Sequence, residues 1–560
     1  MFSAVMKARL SLLCGLLSFG CGDDPKRELT REGSAGEGGT GEGGTNDAAG
    51  AGAGNGGAGG EGEGIAGSAA GSEGEGVTTG TRVFDGVASM LFDGPACTRE
   101  AGTDTDRWCG FVARSEQGER NLFVVNVSAA LAGGAVSCDG ANEQCVLLAA
   151  SLGGDSFDPT HHGTLFQGDT LIFYDSTLAP YAWRPGMAAG RLLVEVSPSL
   201  DAVFCTPASR GTVIGCLGLP TEQAEPELAR ADLLVGHADG AQEPLLGPVD
   251  AVIAANAADA IPRFGYGYPD VPGDYVAWTT RESATGPETL KLLDVFDLDS
   301  KTTIATDVHD WTVTRDGTRW FWLSAIDTAG AGTLQTAPFP SGEDPLDVLD
   351  GAVQYAESPA GVVVRTSAAE LVAIADPAGA PGERVTLDTG VLELLSVTNG
   401  PHVAYAKHFV GASTVDLFVA HTGGDGVCTV DTSVSVPLRS IFFSPDGGAL
   451  VWARSNQRGG FDAHYTRLST CESEPLAPDV VALAWLGDDG ILLMNDFDSV
   501  LGAGTLRVRR VGSDQRLDPA RARLVAHDVD TYAIADPGRR TLVYTVNGGG
   551  PADGVYVSSF

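Results

Sequence analysis

The feature that most constrains this chain is a short unit that keeps returning. Its clearest copy is Ser440-Ile-Phe-Phe-Ser-Pro-Asp-Gly-Gly-Ala-Leu-Val-Trp-Ala-Arg-Ser455. Pro445-Asp446-Gly447 is a turn cluster between two apolar runs: proline presets φ, aspartate bonds nearby backbone, and glycine accepts positive φ. The run behind it, Ala449 to Ala453, has strand length and β-favouring residues. Five turn glycines place an aromatic five positions later: Gly168 with Phe173, Gly273 with Trp278, Gly317 with Trp322, Gly400 with Tyr405, and Gly447 with Trp452. Weaker copies follow Gly361, Gly490 and Gly538.

From Gly273 onward the turn glycines step by about 39 to 48 residues, close to the period of a propeller blade of four short strands. One such sheet cannot bury both its faces alone, so units of this kind must stack. An aromatic fixed at one strand position then fills the space between stacked sheets, in preference to serving as a sugar platform. Some 7–10 repeat units are expected between Thr81 and Phe560, arranged as one closed ring; a ring plus a smaller β domain is the other arrangement the spacing allows.

The unit FSPDGGALVW (Phe443 to Trp452) resembles the repeat of TolB-like propellers, periplasmic relatives of WD40 proteins. No copy carries the Trp-Asp ending of WD40 repeats. Thr314–Trp320 is similar to the Asp-box of sialidases, but Asp316 and Gly317 are adjacent where that motif has a spacer, so no sialidase chemistry is carried over. The resemblance implies an all-β propeller of the cell envelope.

Residues 1–20 form a secretory signal: Lys7 and Arg9, then the apolar run Leu10 to Leu17, then Ser18-Phe19-Gly20. Cys21 follows directly and resembles the lipidated first residue of bacterial lipoproteins, with Ser18 standing where leucine is usual. Gly22 rather than aspartate after the cysteine implies, by the same resemblance, sorting to the outer membrane. Residues 21–80 are Gly-, Ala- and Glu-rich and lack aromatics. Such a segment cannot offset its ordering entropy, and it predicts a disordered tether with a reach of about 40 Å. The folded part spans 81–560, with irregular spacing over 81–261 and regular repeats over 262–560. No strong amphipathic helix is apparent; Ala224 to Leu234, in AEPELARADLL, is the best candidate.

Net charge is −38, which argues against nucleic-acid binding. Eight cysteines remain beyond Cys14 and Cys21, and an even number in an exported chain predicts disulfides. Cys97 and Cys109, Cys138 and Cys145, and Cys205 and Cys216 are close neighbours in sequence. Cys428 and Cys471 lie about one repeat apart, which suits equivalent places in adjacent blades. No C-x-x-C spacing points to a metal site.

No G-x-S-x-G elbow, H-E-x-x-H or P-loop occurs. Asp158, His161 and His162 read as loop residues, because adjacent side chains on extended backbone diverge. The pairs Asp104/Asp106 and Asp297/Asp299 have the alternate-aspartate look of a calcium loop without an EF-hand's glycine and distal glutamate. Calcium is the only cofactor the sequence suggests, and no catalytic or metal-binding residue is assigned. Arg507, Arg509, Arg510, Arg516, Arg521 and Arg523 form a basic cluster, either a patch for phosphates or an acidic partner, or an outer strand paired with the protein's own carboxylates.

These readings predict a non-enzymatic, lipid-anchored binding or scaffolding module for an envelope or extracellular protein or glycan, touching membrane only through its anchor. The alternative is a propeller-type hydrolase or lyase acting on extracellular polymer. Replacing Cys21 by Ser is expected to move the protein from the membrane pellet to the soluble fraction on cell fractionation; unchanged retention would refute lipidation.

Overall fold

The turns are built by their own side chains. In Ser444–Gly448 the Ser444 Oγ donates to Asp446 at 2.5 Å, Gly447 N donates to Ser444 O at 2.8 Å, and Gly448 N donates to Asp446 Oδ1 at 2.9 Å. Gly447 has φ of 70°, a region open to glycine. Thr314–Thr318 repeats this pattern: Thr314 Oγ1 donates to Asp316 at 2.6 Å, Gly317 N to Thr314 O at 2.8 Å, and Thr318 N to Asp316 at 3.0 Å. Gly317 also has φ of 70°. Asp316 is held below the usual carboxylate range by these hydrogen bonds, first from Thr314 and then from Thr318.

The computed structural model describes residues 80–560 apart from connecting segments, of which the longest are 99–106, 139–143, 153–164, 221–228, 238–245, 255–270, 282–286, 378–382 and 409–413. The secretory signal, Cys21, the tether, Asp104/Asp106, Asp158, His161 and His162 lie outside the described residues. The fold is all-β: eight antiparallel sheets, in each of which strands adjacent in sequence pair. Among the described residues one helix, Val127–Leu131, interrupts them, capped by Asn126 accepting from Ala129 N. No described helix is long and apolar enough to cross a membrane.

Taken in order, four-stranded units cover 88–149, 165–192 and 200–254, and a three-stranded unit covers 275–306. Two seven-stranded sheets each hold two units. In one, Leu346–Ser358 is the last strand of one unit and the first of the next; in the other, Leu517–Asp536 does the same. Between them lie units 391–435 and 439–480. The final unit is completed by Thr81–Asp85, which pairs antiparallel with Gly554–Ser559. This gives ten units in succession, counted 1 to 10 from 88–149.

The best helix candidate, Ala224 to Leu234, is a strand where it is described. Ala229–His237 pairs with both neighbouring strands, and Leu233 and Val235 are buried on one face while Asp232 is exposed. A two-residue burial period outweighs the helical propensity of its alanines and leucines. The uneven spacing before residue 261 reflects connections of variable length between sheets, since units 1 to 3 each form a four-stranded sheet.

Each unit packs on the next. Units 1 and 2 share Trp108, Phe111, Phe166 and Trp183; units 4 and 5 share Ala277, Leu290, Trp311 and Trp322; units 7 and 8 share Ala404, Leu417, Leu450 and Trp452. Units 3 and 4 are joined by Lys291 to Asp250 at 3.0 Å. The last unit packs on the first: Val543, Val555 and Val557 enter the core of unit 1, and Ser89 Oγ donates to Asp530 at 2.7 Å. Hydrogen bonds repeat the period, linking residues 40, 42 and 43 apart in Leu394 to Gln354, Arg315 to Glu357, and Trp485 to Phe442. The five motif aromatics Phe173, Trp278, Trp322, Tyr405 and Trp452 are all buried, at 2% exposure or less.

Four disulfides are present. Cys97–Cys109, Cys138–Cys145 and Cys205–Cys216 close short loops within a unit, whereas Cys428–Cys471 joins unit 7 to unit 8.

Trp452 is fully buried, stacks on His464 with centroids 4.5 Å apart, and donates from Nε1 to Thr466. Trp452→Ala is expected to cost about 3–5 kcal/mol in denaturant unfolding; a change near zero would contradict its place between sheets.

Candidate functional site

A polar row crosses unit 6 on the side that faces unit 7. Gln354 lies opposite Arg365, Arg365 opposite Leu371, and Leu371 opposite Asp388. Directly paired residues share a face, so the four side chains stand in one line across all four strands. Register irregularities at Ala352/Gln354 and Val391/Glu393 bend the first strands of units 6 and 7 here.

The outer end of the row is a part-buried ion pair. Asp388 accepts from Tyr405 Oη at 2.5 Å and from Lys407 Nζ at 2.9 Å. The Asp388 and Lys407 side chains are 17% and 14% exposed. Burial works to raise the Asp388 carboxyl, but the hydrogen bonds from Tyr405 and Lys407 outweigh it and hold the group below the usual carboxylate range. Burial, then Asp388 itself, pushes the Tyr405 phenol up, so it stays a donor.

The inner end reaches the first strand of unit 7. Arg365 Nε donates to Val391 O at 3.1 Å, and Gln354 Oε1 accepts from Leu394 N at 3.1 Å. These two bonds bracket Glu393. Burial pushes the Glu393 carboxyl up, against the pull of Arg365. Among the described residues neither the Arg365 Nη atoms nor the Glu393 carboxyl has a hydrogen-bond partner. All three side chains remain partly exposed. Beyond the bonds already made, the row offers a guanidinium edge and an amide N–H₂.

Other displaced ionisable groups lie at other places on the unit boundaries. Glu357, raised by burial, accepts from Arg315 N of unit 5. His402 is lowered by burial and then by His421, whose ring lies 5.4 Å away. Arg454 pairs with Asp431 across units 7 and 8 at 3.1 Å, beside His464, which burial lowers first and Arg454 second.

The residues singled out in the sequence sit elsewhere. Asp297 and Asp299 are exposed on strand Asp297–Thr306, and no group of three or more potential metal ligands exists among the described residues. Much of the basic cluster pairs with the chain's own acids: Arg510, with Arg540 beside it, meets Asp489, at 2.9 and 2.5 Å, Arg507 meets Asp496 at 3.6 Å, and the exposed Arg516 meets Asp514 at 4.0 Å. Arg523 lies over the Phe560 ring. Arg509 is part-buried on strand Ala503–Val511, and the Arg521 side chain lies outside the described residues. Gln354, Arg365, Glu393 and Asp388 were not anticipated. The available signal was a lone polar residue in an apolar strand, as in Val362-Val-Val-Arg365 and Val391-Leu-Glu-Leu394.

No family model and no curated protein matches the chain. Solved structures with similar architecture include a eukaryotic initiation factor, at TM-score 0.45 and 10% identity, covering 76% of this chain and 96% of that one. TolB from Acinetobacter baumannii aligns at TM-score 0.26 and 14% identity over 53% of this chain and 76% of its own. An oligogalacturonate lyase from Vibrio parahaemolyticus aligns at TM-score 0.35 and 11% identity over 77% and 92% respectively.

Asp388→Asn is expected to destabilise the fold by about 2 kcal/mol or more at neutral pH, since it leaves Lys407 buried without its counter-charge. Because the folded Asp388 pKa is depressed, its contribution is full above the unfolded value of about 3.9 and is lost as pH falls through the folded value. The gap between wild type and variant in urea titrations should therefore close at low pH; a pH-independent gap would contradict the ion-pair account.

Proposed function

We propose that this chain is an exported, lipid-anchored β-propeller acting as a non-enzymatic binding or scaffolding module for a protein or glycan partner. The ring reading has ten blades closed by Thr81–Asp85, supported by the unbroken succession of packed units and the seating of the last on the first. Export is supported by four disulfides, which belong to oxidising compartments. Lipid attachment at Cys21 and an outer-membrane location rest on the resemblance of residues 1–22 to a lipoprotein leader.

The observation that carries the binding reading is the dispersal of the displaced ionisable groups. Asp388, Tyr405 and Glu393 fall at the boundary of units 6 and 7, whereas Glu357, His402 and His464 sit in separate local contacts at other places along the unit boundaries. An enzyme's acid and base need to converge within reach of one substrate bond. The alternative, a hydrolase or lyase acting on extracellular polymer, is favoured by Glu393, a carboxyl raised by burial as general acids are.

Affinity capture with the tagged full-length protein in its native envelope, followed by incubation of the purified protein with extracellular polysaccharide and protein, separates the two. The binding reading expects a partner retained through washing and polymer of unchanged length. Chain shortening that tracks the purified protein would overturn it.

A further inference from the structure

We propose that the Cys428–Cys471 disulfide is a redox-operated latch between units 7 and 8, opened by a dithiol. The inference does not depend on the binding reading above and starts from connectivity. Cys205 and Cys216 lie directly opposite each other on paired strands, and Cys97 and Cys109 are paired by a backbone bridge. Cys138 and Cys145 are only 7 residues apart. Strand pairing or a short stretch of chain therefore keeps each of these partners close when its bond is cut. Cys428 and Cys471 are 43 residues apart and sit on two different sheets. Cys428 lies on strand Val427–Ser435, opposite Val419, and Cys471 closes the turn that leads into Glu472–Val480. No strand pairing joins those two strands, so the disulfide is the covalent tie between the two units.

Access singles out the same bond. Seven of the eight disulfide cysteines are buried, at 9% exposure or less, and Cys471 alone among them is exposed. Exchange requires a thiolate to reach a sulfur, so exposure decides which disulfide reacts. Cys471 also holds a φ of 56°, a region that residues with a side chain disfavour, and reduction frees it to leave that conformation. In the exchange, a thiolate of the dithiol attacks Cys471 Sγ and expels Cys428 as a thiolate, which takes up a proton. The second thiol of the reagent, deprotonated, then attacks its own bound sulfur and expels Cys471, which is protonated in turn. The dithiol ends as a disulfide and the latch as two thiols, a transfer of two electrons and two protons. What remains at this margin is non-covalent: Ser473 Oγ donates to Val430 O at 3.0 Å, and Arg454 meets Asp431 at 3.1 Å. Val430 and Leu468 pack behind these contacts in the core that the two units share. Opening the latch thus turns a fixed seam into one that parts, while each unit keeps its own sheet.

The test uses full-length protein in neutral buffer without denaturant. It is treated with graded dithiothreitol, alkylated with iodoacetamide and mapped by mass spectrometry. Cys428 and Cys471 are expected to become alkylated about tenfold faster, or more, than the other six disulfide cysteines. Amide hydrogen exchange on Val427–Ser435 and Glu472–Val480 should rise at that stage, with the strands of units 1 to 3 unchanged. The double variant Cys428→Ser, Cys471→Ser should show the same raised exchange with no dithiol added; should it fail to fold, the selectively reduced wild type carries the test. Alkylation of Cys428 and Cys471 before any dithiol is added would overturn the latch. So would reduction of all four disulfides at one rate, or exchange at the seam that is unchanged once this bond is cut.

Discussion

The interaction on which this structure depends is the burial of one sheet face against the next. A four-stranded sheet has two faces, and a twisted β-sheet of this size is not stable with either of them wet. The chain meets that constraint by repetition. Each unit turns aromatic or aliphatic side chains toward a neighbour, and so Trp183, Trp278, Trp322, Tyr405 and Trp452 are all fully or almost fully buried. Nothing local to one unit supplies this stability. It exists only because another unit of nearly the same construction stands beside it.

The same constraint accounts for the ends and the seams. The last unit would expose an unpaired edge after Gly554–Ser559, and Thr81–Asp85 covers it. Where two units meet, mainly apolar faces are pinned at their margins by a few polar contacts: Lys291 to Asp250, Asp388 to Lys407 and Tyr405, Arg454 to Asp431. Such contacts contribute less net energy than the apolar faces, but they penalise any slip in how one sheet sits on the next. The Cys428–Cys471 bond adds a covalent form of the same restraint between units 7 and 8.

Much of this was legible in the residue string because the turns speak for themselves. Ser444-Pro-Asp-Gly447 and Thr314-Arg-Asp-Gly317 each close their own loop by side-chain bonds, so strand, turn and strand can be read locally. The continuous strands Leu346–Ser358 and Leu517–Asp536 were not legible, because a chain that passes from one unit to the next without a break leaves no punctuation. The polar row was hidden for a related reason. Gln354, Arg365 and Asp388 are brought into line by register across four strands, at sequence separations that vary with loop length. Arg365 by itself looks like the end of an apolar strand. Only the pairing turns it toward Val391.

Gly80 enters the fold so tightly that a side chain there would meet Val557 O at 2.8 Å, and the next five residues are the strand that completes the final unit. Whatever lies before residue 80 is therefore coupled mechanically to that strand. A pull from that side loads the hydrogen bonds between Thr81–Asp85 and Gly554–Ser559 before any other part of the fold feels it. Peeling this pair would expose an edge and loosen the seat of unit 10 on unit 1. The strand that finishes the architecture is thus also its force-bearing joint, the first element to register tension applied through the segment before residue 80.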